Sequence, residues 1–189
     1  MKIGRAYIAT CRVRTHWQSV RLGALVLLAC VASTTTLFAQ VSVYWDTNAN
    51  TAGAGATPTG NWNATANWNT SATGTGGTLA GWTANNHAVF SAGNDAVNAY
   101  TVTLTGGISV GNITFEEGTT LITGSTLTLV GASGVSIDVA SGLTATINSI
   151  LGGSATLNKT GDGTFVTGGA GGNTHTGAVN INAGVFEIA

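Results

Sequence analysis

The sequence predicts an all-β chain built as a solenoid. Short runs alternate apolar with small polar residues, as half-buried strands do. Glycine clusters separate the runs, and glycine turns corners at positive φ without a steric penalty. The later part of the chain is self-similar, as stacked rungs are. One rung cannot bury its own apolar face, so the pattern requires neighbours.

Residues 1–39 are a different kind of sequence. Lys2, Arg5, Arg12, Arg14 and Arg21 are five of the 6 basic residues of the chain, and no acid precedes Asp46. An apolar run from Leu22 to Ala32 follows, then a small-residue exit through Ser33 to Ala39. This order is that of a secretory signal peptide, with a helix expected over about Val20 to Val31 and cleavage between Ala39 and Gln40. The run falls short of the ~20 residues of a membrane helix. Leu27-Leu28-Ala29-Cys30 also permits a lipoprotein reading, with Cys30 acylated. Cys11 and Cys30 both lie in the leader, so the exported chain has neither disulfides nor thiol chemistry.

Beyond the leader, Lys159 is left against all 7 acids of the chain. A chain with that balance cannot neutralise a phosphate backbone, which excludes nucleic acid as a partner. Charged residues are 7% of the sequence, so Thr, Ser, Asn and Gly must carry its solubility. That composition suits exposed β-surfaces better than a compact enzyme.

Residues 40–100 are rich in Trp, Asn and Ala: Val43-Tyr44-Trp45-Asp46, Asn61-Trp62-Asn63, Asn67-Trp68-Asn69, Gly81-Trp82, then His87-Ala88-Val89-Phe90. The first rung of a solenoid has an open apolar end that needs a cap. Trp62, Trp68 and Phe90 are expected to supply it, with the indoles against Val89 and Phe90. Residues 101–189 are read as the rungs. Leu127/Leu129, Val135/Ile137/Val139, Leu143/Ala145/Ile147, Ala155/Leu157 and Val179/Ile181 alternate with polar residues, and glycine turns separate the runs. Leu127, Leu129, Ile137, Val139, Ile147, Leu157, Ile181, Phe186 and Ile188 are expected to be buried.

Within the rungs, residues from about 155 to 189 resemble the autotransporter-associated β-strand repeat. Leu157, Lys159, Gly161, Gly163 and Thr164 match its first part; Asn173, Thr174, Gly177, Gly184, Phe186 and Ile188 match the rest. Phe165 and Phe186 stand where the family usually has Leu. The opening Trp-Asp, the Asn-Trp elements and the Ala-Val-Phe run are similar to the amino-terminal part of large proteins carrying this repeat. The resemblance implies a secreted or cell-surface bacterial protein folded as a right-handed parallel β-helix, without a catalytic site. It implies an adhesive or structural role, with a surface glycan or another cell-surface protein as partner. No aromatic-ended series of membrane strands and no apolar anchor follow the repeat, so the mature chain is expected to have no membrane span.

Candidate chemistry is sparse. Trp62, Trp68 and Trp82 with their flanking Asn residues suit a sugar platform if the rings are exposed, and a cap core if they are not. Glu116 and Glu117 are adjacent, so on a strand they face opposite ways and form no catalytic pair. Lys159 reads as a solvated rung residue. His87 and His175 are isolated, with no second ligand at metal spacing. No nucleophile elbow or phosphate loop occurs. The reading is a non-enzymatic β-solenoid with no cofactor and no metal; the alternative is a carbohydrate-binding or carbohydrate-processing β-helix module.

Overall fold

The structure, a computed structural model, describes residues 40–64, 66–169 and 171–189. The expected leader helix, Cys11, Cys30 and Ala39 lie outside the described residues. Among the described residues there is no helix, and the regular structure is strand alone.

The chain winds through three sheets in repeating order. The amino-terminal strands are β1 (Ser42–Trp45), β2 (Gly60–Asn61), β3 (Trp68–Asn69) and β4 (Leu79–Ala80). The first full turn is β5 (His87–Phe90), β6 (Ala99–Leu104) and β7 (Ile108–Val110). The second is β8 (Ile113–Phe115), β9 (Thr119–Gly124) and β10 (Leu127–Leu129), and the third is β11 (Val135–Val139), β12 (Thr144–Ile147) and β13 (Leu151–Gly152). Then come β14 (Leu157–Thr160) and β15 (Thr164–Thr167), and lastly β16 (Val179–Ile181) and β17 (Val185–Ile188). The sheets run β16-β14-β11-β8-β5-β1-β3-β4, β17-β15-β12-β9-β6-β2 and β13-β10-β7. Successive turns pair parallel, so the chain is a parallel β-solenoid. One turn takes roughly 20–25 residues, within the range of solenoid repeats.

The parallel order fails at one place. Strand β3 pairs antiparallel with β1, and β4 antiparallel with β3. The chain therefore folds back at the amino-terminal end of the described residues, beyond the first parallel pair of β1 and β5.

In-register stacking turns the sequence alternation into interior columns. Val43, Ala88, Ile113, Ile137, Lys159 and Ile181 stack along the largest sheet. Val102, Ile122, Ile147, Thr167 and Ile188 stack along the second. Ile108, Leu127 and Leu151 form a column on the third. Each fully buried aliphatic side chain here contributes roughly 1.5–3 kcal/mol. Corners are tight: Gly161 holds φ at 69°, and a Cβ there would strike the Val139 carbonyl of the turn below. Only glycine meets both demands at that corner.

Six of the nine residues expected to be buried are so: Leu127, Leu129, Ile137, Val139, Ile147 and Leu157. The other three need correction. Ile181 is 57% and Ile188 79% exposed, and Phe186 is half-buried. Their side chains do face inward in register. However, β16 and β17 are the outermost strands of their sheets among the described residues, so no rung covers them.

Candidate functional site

The amino-terminal end is organised around tryptophan. Trp45, Trp62 and Trp68 are fully buried, while Trp82 is half-buried against them. Ring centroids lie 5.2 Å apart for Trp45 and Trp68, 5.0 Å for Trp62 and Trp68, and 4.7 Å for Trp68 and Trp82. Phe90 meets Trp62 at 5.4 Å and Trp68 at 5.5 Å, then stacks on Phe115 at 5.3 Å with 12° between the planes. The tilted and edge-on arrangements among the indoles are those that aromatic quadrupoles favour. Trp45 Nε1 donates to the Pro58 carbonyl at 2.6 Å, Trp68 Nε1 to Trp62 O at 3.0 Å, and Trp82 Nε1 to Ser109 O at 3.1 Å. Trp62 and Trp68 therefore present no ring face on which a sugar can stack. Trp45, which the sequence reading did not assign to the cluster, is one of its central members.

Next to the indoles lies a polar network built on Asp46, which is fully buried. Its carboxylate accepts from Asn48 N at 3.1 Å and from Asn69 Nδ2 at 2.8 Å. Burial pushes its pKa up, against the pull of those two donors. Asp95 ties the 50s loop to the first turn by accepting from Ala54 N at 2.8 Å and Gly55 N at 3.2 Å. Both carboxylates act as loop anchors, each closing backbone donors that would otherwise be orphaned.

Glu116 and Glu117 lie in the corner after β8 and have different surroundings. Glu116 is exposed. Glu117 is half-buried and accepts from Ala96 N at 2.8 Å, fixing one corner to the next turn. Burial raises its pKa, while the Ala96 N–H works the other way. A notch of about 380 Å³ opens beside them, lined by Gly93, Val97, Glu116, Glu117 and Leu143 among others.

Lys159 is the largest departure from the sequence reading. It is fully buried and occupies an interior column between Ile137 and Ile181. Nζ donates to Thr160 O at 2.6 Å, Gly161 O at 2.7 Å and Ala183 O at 3.2 Å. An ammonium has three protons, and here each meets a carbonyl. Burial lowers its pKa, with Asp138 and Asp162 opposing that shift. The side chain is thus an internal clamp at the corner after β14, and through Ala183 it reaches the following turn. Strict alternation from Leu157 places Lys159 on the inward face, so the signal was present in the strand period.

The remaining repeat positions are structural. Leu157 and Gly163 are buried, and Gly163, Gly177 and Gly184 each lie against a backbone oxygen of the preceding turn. His87 Nδ1 lies 3.1 Å from Ser42 Oγ and its Nε2 2.9 Å from Thr114 Oγ1. Burial lowers its pKa. His175 Nε2 lies 2.8 Å from Ala155 O. Among the described residues, no group of three or more His, Cys, Asp or Glu side chains is placed to hold a metal ion. No described helix is long and apolar enough to cross a membrane.

Gln40 is the one residue of the expected cleavage site that the structure describes. Its side chain reaches over Gly111 to Asn85 and Asn112.

The chain is similar to an autotransporter adhesin. The relative is the adhesin BmaC autotransporter of Brucella suis biovar 1 (strain 1330), 36% identical over 173 residues. The matched region spans 91% of this chain but 5% of that protein. No family model matches the sequence, and no solved structure does.

Proposed function

We propose that the chain is an exported, non-enzymatic β-solenoid segment of a passenger-like bacterial surface protein, with a structural or adhesive role. The observation that carries this reading is the in-register parallel stack from β5 to β17. Its polar side chains are spent on anchoring backbone, as Asp46, Asp95, Glu117 and Lys159 do. The similarity to an adhesin adds to this reading. The leader is cleaved between Ala39 and Gln40, residues 40–100 form the cap region, and residues 101–189 form rungs that include the repeat at about 155–189. The partner is a glycan or protein displayed on a cell surface. The sugar-platform alternative is disfavoured by the burial of Trp62 and Trp68.

The test immobilises the exported chain on beads and measures retention on cultured cells and on matrix-coated surfaces, alongside polysaccharide turnover. Retention without turnover is expected. Turnover of any polysaccharide that Glu117→Gln abolishes, with the melting temperature unchanged, overturns the non-enzymatic reading.

A further inference from the structure

Gln40 lies two residues before β1, and its neighbours form a cradle for its carboxamide. Nε2 donates to Asn85 O at 3.1 Å, and Oε1 accepts from Asn112 Nδ2 at 2.9 Å. Asn85 has a left-handed φ of 68°, and its own N–H is bonded to Ser109 O at 3.0 Å, which fixes the carbonyl that Gln40 uses. Asn112 is oriented from its other side, because its Oδ1 accepts from Ser136 N at 2.8 Å. Its amide protons are therefore left to face Gln40. Gly111 completes the cradle: a Cβ there would overlap Gln40 Nε2. The carboxamide thus bridges from the edge of β1 to the loop before β8, and through Asn112 to the third turn.

An amino-terminal glutamine ordinarily cyclises. The α-amine attacks Cδ, the carboxamide nitrogen leaves as ammonia, and a five-membered lactam forms with no redox partner. That reaction requires the side chain to curl back over its own amine. In the cradle both ends of the amide are engaged instead with Asn85 and Asn112.

We propose that Gln40, once it is the first residue, is a modification site that the fold withholds: docking of its carboxamide suppresses conversion to pyroglutamate and preserves a free, charged amino terminus. This rests on cleavage between Ala39 and Gln40. Two hydrogen bonds must break before the ring closes, so cyclisation is expected to be roughly tenfold or more slower in the folded chain than in the denatured one.

The experiment follows the amino-terminal peptide by mass spectrometry. The chain, exported from the full-length precursor, is incubated in native buffer and in urea. A first peptide starting at Gln40 that stays intact natively and loses ammonia in urea is the expected result. Asn112→Ala and Gly111→Ala should cyclise faster in native buffer while keeping the β-sheet circular dichroism spectrum. If Gly111→Ala disturbs the sheet, Asn112→Ala alone decides. Equal rates in native buffer and urea overturn the protection. A first residue other than Gln40 overturns the cleavage reading instead, and the peptide mass distinguishes the two failures.

Discussion

Replacing Lys159 with methionine separates the clamp from an ordinary surface lysine. Methionine keeps an unbranched apolar stem in the column between Ile137 and Ile181 but donates no hydrogen bond. Thr160 O, Gly161 O and Ala183 O then lose their shared donor. A hydrogen bond to a charged group contributes about 1.5–3 kcal/mol net. The three do not add fully, because the ammonium's own burial cost disappears with it and the corner carbonyls gain some water. The expected loss is therefore about 2–4 kcal/mol. At ~2–4 °C per kcal/mol for a chain of this size, the melting temperature should drop by about 4–16 °C. Circular dichroism melts of the two proteins measure this directly. Hydrogen exchange should show the loss first in the turns at Gly161–Gly163 and Ala183, since solenoid energetics are local. A solvated lysine would change stability by no more than about 0.5 kcal/mol. A melting temperature within one degree of the parent, or an increase, refutes the clamp.

Trp68→Ala should cost about 3–5 kcal/mol and red-shift the native tryptophan emission, whereas Trp82→Ala should cost clearly less because that ring is half-buried. Chemical denaturation followed by fluorescence reads both. Glu117→Ala orphans the Ala96 N–H and should cost about 1–3 kcal/mol, while Glu116→Ala should stay within about 0.5 kcal/mol; equal effects on the melting temperature would contradict the division of the pair. Stability should also depend on pH in two opposed ways. Asp46 and Glu117 have raised pKa values in the folded state, so their contribution is full below the ordinary carboxylate range near ~4 and is lost as pH rises through the folded values. His87 has a lowered pKa, so its contribution holds above its ordinary value of about 6.5 and is lost on acidification. A His87→Gln protein should therefore melt higher at pH 4.5 than at pH 7, and by a wider margin than the parent; a fall would show that the carboxylates are not the governing groups.

The strands and corners were legible because two strong local rules coincide in this chain. Alternation at Val135, Ile137 and Val139 gives the inward face, and glycine at Gly161 is demanded by φ and by backbone proximity together. Residue type makes Lys159 a surface residue whereas strand period makes it an inward one, and the arrangement of three carbonyls at a corner is what makes the inward position tolerable. Ile181 and Ile188 depart from expectation for a different reason. Facing inward is a local property, whereas being buried needs another rung. Trp62 and Trp68 were assigned to the cap region, but the antiparallel return of β3 and β4 was not visible in two-residue strands. The carboxylates left even less trace. Nothing in the sequence around Glu117 marks it as an anchor, because its partner Ala96 is brought near by winding alone.

The antiparallel return gives the coil a direction. At the β3–β4 end of the largest sheet the backbone runs against the winding and the indoles pack together beside it, so that sheet offers no parallel edge there. The β16–β17 end offers parallel edges and inward apolar side chains. The two ends of the described stack are therefore unlike: the largest sheet is closed to a further parallel strand at one end, and at the other it presents the edge on which a neighbouring rung would pair and bury the inward side chains.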